Sequence, residues 1–120
     1  MNSQQLFIEL LHRLGKYSDA CVVHALLAQG CDEMEYTTSI VKMSQNLFGG
    51  RIHRRQVQQA IARLSYEGLI EVRAQPYWRT CIKVNREAVD ALLREPVRAN
   101  MPGLRVESFP YLEHCAAAAA

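Results

Sequence analysis

The sequence lacks any hydrophobic run long enough to cross a membrane. A membrane-spanning helix needs roughly 18 or more consecutive apolar residues, and no segment of this 120-residue chain approaches that length. The N-terminus also lacks the basic-then-apolar order of a secretory signal. We therefore predict a protein without a membrane partner, located in the cytoplasm.

Cysteine is sparse, and its spacing does not suit a cross-linked or zinc-binding protein. The four cysteines, Cys21, Cys31, Cys81 and Cys115, show neither the close pairs of a zinc ribbon nor the density of a secreted disulfide scaffold. Cys21 and His24 lie three residues apart with Cys31 nearby, which allows a metal-sensing or thiol-switch hypothesis. Their place in an apolar segment favours packed core side chains instead. We predict no bound metal and no cofactor.

Motifs that carry catalysis are also missing. The chain has no glycine-rich phosphate loop, no nucleophile elbow and no paired carboxylates in an apolar setting. We therefore do not expect an enzyme.

Positive charge is concentrated in the middle of the chain, although the whole chain carries a net charge of only +2. Residues 51–86 contain eight Lys or Arg against two Asp or Glu, a net charge of +6. Residues 1–50 and 87–120 each contain three against five, a net charge of −2. Such a basic region can bind a polyanion, because each Lys or Arg on a phosphate releases condensed counterions. A merely solvated face has the same composition, so the spacing of the residues has to separate the two interpretations.

Hydrophobic spacing predicts five helices and three short strands in a single domain. Apolar side chains at three- and four-residue spacing give the helices, with Gly15, Gly30, Gly49 and Gly68 as stops. Alternating or branched segments give the strands, and a short turn at residues 75–78 joins the last two as a hairpin. The predicted helices cover residues 3–14, 18–29, 38–48, 53–67 and 86–94, and the predicted strands cover residues 33–37, 69–74 and 79–84.

Helix starts are predicted from side chains that can accept a hydrogen bond from the first turn. Ser18 is the predicted cap of the second helix, Thr38 or Ser39 of the third, and Asn85 of the last.

The chain after residue 95 has no regular pattern. Pro96, Pro102 and Pro110 interrupt it, and its apolar residues follow no helical period. Residues 116–120 are all alanine and can be native sequence, an added extension or a stand-in for unidentified residues, so they carry no fold prediction. We predict one folded domain over residues 1–95 and an irregular C-terminal tail over residues 96–120, which binds either a partner or the body of the protein.

The most specific segment is residues 56–72, with the sequence QVQQAIARLSYEGLIEV. It is similar to the passage "helix, Leu, two residues, Glu-Gly-Leu-Ile" of MarR-like and GntR-like regulators. Residues 17–94, with their order of helices, glycine turn and hairpin, thus resemble the winged-helix branch of the helix-turn-helix proteins. The resemblance implies a mainly α fold with a small β-hairpin (α+β). It also implies that the 53–67 helix lies in the major groove of DNA, while the 69–84 hairpin, the wing, touches backbone or minor groove.

The residues of the 53–67 segment favour the same interpretation. A rotation of about 100° per residue puts Val57, Ile61 and Leu64 inward and leaves a polar face outward. Arginine can pair two donors with guanine and glutamine can do the same with adenine. The residues near the helix start are therefore predicted to read bases: Arg54, Arg55, Gln58 and Gln59. The other basic residues of the region are predicted to contact the DNA backbone: Arg51, His53, Arg63, Arg73 and Arg79.

The predicted function is sequence-specific binding of double-stranded DNA by a transcriptional regulator of bacterial, plasmid or phage style, associated with the nucleoid. One recognition helix covers only a few base pairs, so we expect a homodimer. The first and last helices are the candidate dimer contacts, and either can instead close the monomer core.

The wing departs from the family pattern at its tip, where Tyr77 and Trp78 follow Pro76. Aromatic side chains are enriched at protein interfaces. An alternative function is therefore a winged-helix module that binds a protein partner through Tyr77, Trp78 and the tail, with the basic segment docked on an acidic protein surface. These aromatics can also pack over the edge of the core. A further alternative is a plasmid or phage replication or maintenance accessory, which binds DNA without regulating transcription.

Overall fold

The computed structural model describes residues 2–75, 79–96 and 111. These residues form a mainly helical fold with a small antiparallel sheet, so the predicted α+β class is confirmed. The helices are α1 (Ser3–Leu14), α2 (Tyr17–Ala28), α3 (Ile40–Asn46), α4 (Arg54–Tyr66) and α5 (Arg86–Arg94), and the strands are β1 (Tyr36–Thr38), β2 (Ile70–Gln75) and β3 (Arg79–Val84). None of the described helices has both the length and the apolar character needed to cross a membrane.

The three strands form one antiparallel sheet in the order β1-β3-β2. β2 and β3 pair along their full lengths, with Ile70 opposite Val84 and Arg73 opposite Cys81. β1 pairs with the other edge of β3, where Thr37 lies opposite Cys81. The predicted pairing of the last two strands is confirmed, and a strand from before α3 completes the sheet.

α2 lies at the centre of the core. Every residue from 19 to 26 is buried, whereas α1 and α4 bury one face each. α2 packs against both α1 and α4 and also contacts β3. A helix that is buried all round must be surrounded by other elements, so α2 is the helix on which the rest of the fold is assembled.

Side chains cap the helices largely as predicted. Ser39 accepts a hydrogen bond from the third residue of its helix, and so does Asn85, which confirms both predicted caps. The prediction for Ser18 is wrong, because α2 begins one residue earlier and its N-cap, Lys16, makes no side-chain capping bond. The Ser18 hydroxyl instead accepts a 3.4 Å hydrogen bond from Arg63.

Two elements differ from the prediction by more than one residue at an end. The first strand covers Tyr36–Thr38 rather than 33–37, since its ends are set by pairing with β3. The third helix covers Ile40–Asn46 rather than 38–48.

The α3–α4 turn, residues 47–53, connects these two helices over a short distance. Gly50 adopts a φ of 74°, a left-handed value that side chains other than glycine rarely tolerate. The N–H of Gly50 donates to the carbonyl of Ser44 at 3.0 Å, and the N–H of Arg51 donates to the carbonyl of Phe48 at 2.9 Å. The left-handed conformation of Gly50 and the two hydrogen bonds together set the direction in which α4 begins.

One residue from the predicted tail lies inside the core. Tyr111 is 1% exposed and belongs to the main hydrophobic cluster. Its ring lies against those of Phe7, His24 and Phe48, with centroid separations of 5.4, 5.4 and 5.9 Å. The division at residue 95 stays a prediction, but part of the later segment closes the core of the earlier one.

Candidate nucleic-acid interface

α4 begins at a capping box formed by His53 and Gln56. The Nδ1 atom of His53 accepts a hydrogen bond from the backbone N–H of Arg55 at 3.1 Å, and Oε1 of Gln56 accepts one from the N–H of His53 at 3.2 Å. These bonds satisfy N–H groups that a helix start leaves without partners. His53, a predicted backbone contact, is therefore exposed at the helix start but already uses one ring nitrogen within the helix.

The outer side of the start of α4 carries four exposed polar side chains, Arg54, Arg55, Gln58 and Gln59, which we call the basic face. The opposite side of the helix is buried in the core and consists of Val57, Ala60, Ile61 and Leu64. Within the described part of the chain, no basic-face side chain forms an ion pair or a hydrogen bond. The predicted base-reading residues thus lie together on one exposed surface, and their contact with DNA stays a prediction.

A cleft of about 430 Å³ lies between α4 and the N-terminal end of α2. Lys16, Arg51 and Arg63 line it together with Gln59 of the basic face. Arg51, a predicted backbone contact, is therefore next to the basic face. Lys16 was not predicted, because it lies in a segment of negative net charge and only the fold brings it to α4.

Arg63 is bound to a buried carboxylate of α2. Its Nε atom donates to both carboxylate oxygens of Asp19 at 3.1 Å, and its Nη2 atom donates to Oδ1 at 2.7 Å. The Asp19 side chain is 6% exposed and that of Arg63 is 35% exposed. Hydrogen bonding to Asp19 raises the pKa of the Arg63 guanidinium. A phosphate would have to compete with Asp19 for Arg63, so the ion pair argues against the predicted backbone contact and gives Arg63 a role in joining α2 to α4.

The two arginines that flank the turn of the wing have different surroundings. The Nη2 atom of Arg73 donates to both carboxylate oxygens of Glu35 at 2.7 and 2.8 Å, and both side chains are exposed. The bond to Glu35 raises the pKa of Arg73. Arg79 is exposed and forms no ion pair within residues 2–75, 79–96 and 111. Tyr77 and Trp78, the predicted partner contacts, lie outside the described residues.

A second cleft, of about 660 Å³, lies where β1 meets α3 and β3. Its lining includes Lys42 and Asn46 of α3, the N-cap Ser39 of the same helix, and Arg79 of β3. Lys42 was missed for the same reason as Lys16, since its sequence neighbourhood is not basic. Sequence shows only that it follows the cap Ser39 by three residues, which is a signal for a helix and not for a site.

The residues of the metal-sensing hypothesis are buried: Cys21, His24 and Cys31. The Nδ1 atom of His24 is 2.6 Å from the hydroxyl of Tyr111, and its Nε2 atom is 2.8 Å from that of Ser3. Burial lowers the pKa of His24, an effect opposed by its bond to the backbone of Ser3, and burial raises the pKa of Cys31. Among the described residues, no three His, Cys, Asp or Glu side chains come together as metal ligands. His24 thus acts as a hydrogen-bonded core residue.

The two helices named as dimer contacts pack against each other within the monomer. The Nε atom of Arg13, in α1, donates to the carbonyl of Glu95, just after α5, at 3.0 Å. α1 buries Phe7 in the core and α5 buries Val89. Each helix therefore contributes to the monomer core, and the homodimer stays a prediction.

Compared with known protein families, with curated proteins and with solved structures, the chain matches none of them. The geometry described above is therefore the basis for assigning a function.

Proposed function

We propose that this chain is a winged-helix protein that binds double-stranded DNA sequence-specifically, with α4 in the major groove and the β2–β3 hairpin against the backbone. The observation that carries the proposal is the basic face. Two arginines and two glutamines are exposed together at the start of one helix, without a described internal partner. Residues of these types can each form two hydrogen bonds to a purine edge, worth about 1–3 kcal/mol per pair in discrimination between bases.

The order of elements supports the same proposal. A winged helix is expected to follow a helix pair with a hairpin, and α3, the α3–α4 turn, α4, β2 and β3 succeed one another in that order. β1 joins the hairpin at β3, so the wing is attached to the body and not free in solvent. The basic face and the hairpin therefore belong to one framework that can meet one duplex.

Cations outside the basic face can supply the sequence-independent part of the affinity. Lys16 and Arg51 line the cleft beside α4, and Lys42 and Arg79 line the cleft where β3 begins, next to the turn of the hairpin. Each phosphate that such a cation neutralises releases a counterion, so the binding constant should fall steeply with salt. We assign the protein the role of a transcriptional regulator, because base reading is of use where one site must be chosen among many.

The test begins with selection of duplexes from a random pool by the parent protein. The affinity for the selected duplex is then compared for the parent, for Arg55→Ala combined with Gln59→Ala, and for Arg94→Ala. Arg94 is an exposed arginine of α5, which packs against α1, so the control removes a similar charge away from the basic face.

We expect the double variant to lose at least about tenfold in affinity for the selected duplex, because one bidentate contact is worth about that much. Its affinity for random duplex should fall much less, and Arg94→Ala should resemble the parent. Binding of the selected duplex by the double variant at parental strength would overturn the proposal. Binding of no duplex, with capture of an acidic protein surface instead, would favour the protein-partner alternative. A two-fold symmetric consensus would support the predicted homodimer.

A further inference from the structure

Tyr111 connects three parts of the molecule that are far apart in sequence. Its ring packs against Phe7 of α1, against His24 of α2 and against Phe48 of the α3–α4 turn. Its hydroxyl is 2.6 Å from Nδ1 of His24, and its backbone N–H donates to the hydroxyl of Tyr17 at 2.9 Å. A tyrosine whose backbone N–H and hydroxyl are both hydrogen-bonded, and whose ring lies in an aromatic cluster, is docked in one orientation.

The contact with Phe48 connects Tyr111 to the turn that precedes α4 and its basic face. Phe48 is fully buried, and the turn to which it belongs runs on through Arg51 to the N-cap of α4, His53. Tyr17 lines the cleft that also contains Arg51. Tyr111 thus contacts the buried residue Phe48 of the α3–α4 turn, and the same turn carries the exposed Arg51 of the proposed interface.

The α3–α4 turn is held partly from within and partly from outside. Its own restraints are the backbone bonds of Gly50 and Arg51 and the buried bond of the Ser44 hydroxyl to the carbonyl of Ile52. It contains Gly49 and Gly50, both at positive φ, and glycine loses more conformational entropy on ordering than any other residue. Packing of Phe48 against the ring of Tyr111 adds a restraint from outside the turn to those within it.

We propose that docking of Tyr111 orders the α3–α4 turn and thereby sets the position of the start of α4. Tyr111 is a positioning residue and does not touch DNA. If α4 binds DNA, a consequence that rests on the proposed function, docking of this C-terminal residue and DNA binding are coupled. Each must then strengthen the other by the same factor.

The first test needs no variant and no DNA. Amide hydrogen exchange of the parent protein measures the opening of Tyr111, whose N–H is bonded to Tyr17, and the opening of the turn at Gly50 and Arg51. Undocking of Tyr111 must release the turn, so the amides of Gly50 and Arg51 should exchange at least as fast as that of Tyr111, after correction for intrinsic rates. Slower exchange in the turn would overturn the proposal, because Tyr111 would then leave while the turn stayed ordered.

Variants give the second test. Tyr111→Ala removes the ring from Phe48, whereas Tyr111→Phe keeps the ring and loses only the bond to His24. Val89→Ala is the matched control, since it truncates a fully buried side chain of α5. We expect faster exchange at Gly50 and Arg51 in Tyr111→Ala only. Equal acceleration in Val89→Ala would show a merely structural role and overturn the proposal.

DNA binding is the third measurement, at a temperature where every variant is folded. We expect Tyr111→Ala to bind the selected duplex about tenfold more weakly, within the range of about 5- to 150-fold typical of coupled sites. Tyr111→Phe and Val89→Ala should stay near the parent. If Tyr111→Ala does not fold, Tyr111→Leu replaces it. Parental affinity in a variant with a disordered turn would overturn the coupling, whereas a parent that binds no duplex would overturn the proposed function and leave the exchange results standing.

Discussion

α4 carries arginines at both of its ends, and their surroundings differ. At its start, Arg54 and Arg55 are exposed and have no described ion-pair partner. At its other end, Arg63 is bound to the buried carboxylate of Asp19. An exposed cation keeps its hydration and remains available to a phosphate or a base, whereas a buried carboxylate must have a partner to be tolerated. One basic segment of sequence thus contains two kinds of arginine, one that is exposed without a described ion-pair partner and one that joins two helices of the fold.

The largest expected effect concerns the arginine at the end of the helix. Arg63→Ala leaves Asp19 buried without its partner, so the free energy of unfolding should fall by about 2 kcal/mol. This is less than for a fully buried pair, because Arg63 is about one-third exposed. Arg55→Ala should change it by less than about 0.5 kcal/mol, as is usual for exposed positions. Urea unfolding of the two variants measures the difference. Arg63→Ala combined with Asp19→Ala should recover part of the loss. Equal stability of Arg63→Ala and Arg55→Ala would show that the two arginines do not differ in their role in the fold.

The next effect concerns the arginine at the start. Arg55→Lys keeps the charge but loses the fork of donors that fits guanine. Affinity for the selected duplex should therefore fall about tenfold, whereas affinity for random duplex and the salt dependence should stay nearly unchanged. Titrations at several salt concentrations measure both. A parallel loss on random duplex would mean that Arg55 contacts only phosphate.

Burial of His24 in α2 should also make the stability of the fold depend on pH. Burial lowers the pKa of His24 below its ordinary value of 6.5. As the pH falls below about 6.5, the unfolded chain takes up a proton that the folded protein still refuses, so the free energy of unfolding decreases. The loss is complete once the pH is below the lowered pKa of the folded state. Urea unfolding across this range should show the decrease in the parent and not in His24→Gln, and an identical pH profile in the two proteins would contradict it.

The smallest expected effect concerns Arg73, which is ion-paired like Arg63 but exposed like Arg55. Arg73 is paired with Glu35, but both side chains are exposed, so the pair contributes little to stability. Glu35→Gln should free Arg73 for the DNA backbone and tighten binding by a few-fold, with a slightly steeper salt dependence. The matched control is Glu33→Gln, which removes an exposed carboxylate that forms no ion pair within the described residues. Equal tightening in both would indicate a general charge effect rather than release of Arg73.

Sequence predicted the elements well where local residues decide them. Apolar spacing with a terminating glycine located α1 and α4, and apolar spacing between Asn85 and Pro96 located α5, because a helix face and its ends are encoded within a few residues. The ends of β1 were less well predicted, since pairing with β3 determines them and the partner lies more than 40 residues later. A local sequence pattern cannot predict which residues of β1 pair with which residues of so distant a strand.

The candidate site was also predicted only where local residues determine it. The outward direction of Arg55 and Gln59 followed from helical periodicity, and Arg54 and Gln58 were added because of their residue types near the helix start; all four are exposed. The pairing of Arg63 with Asp19 did not, because the two residues belong to different helices and their meeting depends on how α2 packs against α4. The nearby Lys16 was missed because the charge count was taken along the chain, whereas the cleft is assembled across it.

The burial of Tyr111 has a consequence for how the protein is made. Ribosomes add roughly 5–20 residues per second, so the 15 residues from 97 to 111 take on the order of a second to synthesise. During that interval Phe7, His24 and Phe48 have already been made, but the ring that fills the space between them has not. We therefore expect the nascent chain to expose the aromatic side chains that contact Tyr111 until residue 111 has left the ribosome, and chains that terminate before it to be preferred substrates of chaperones and proteases.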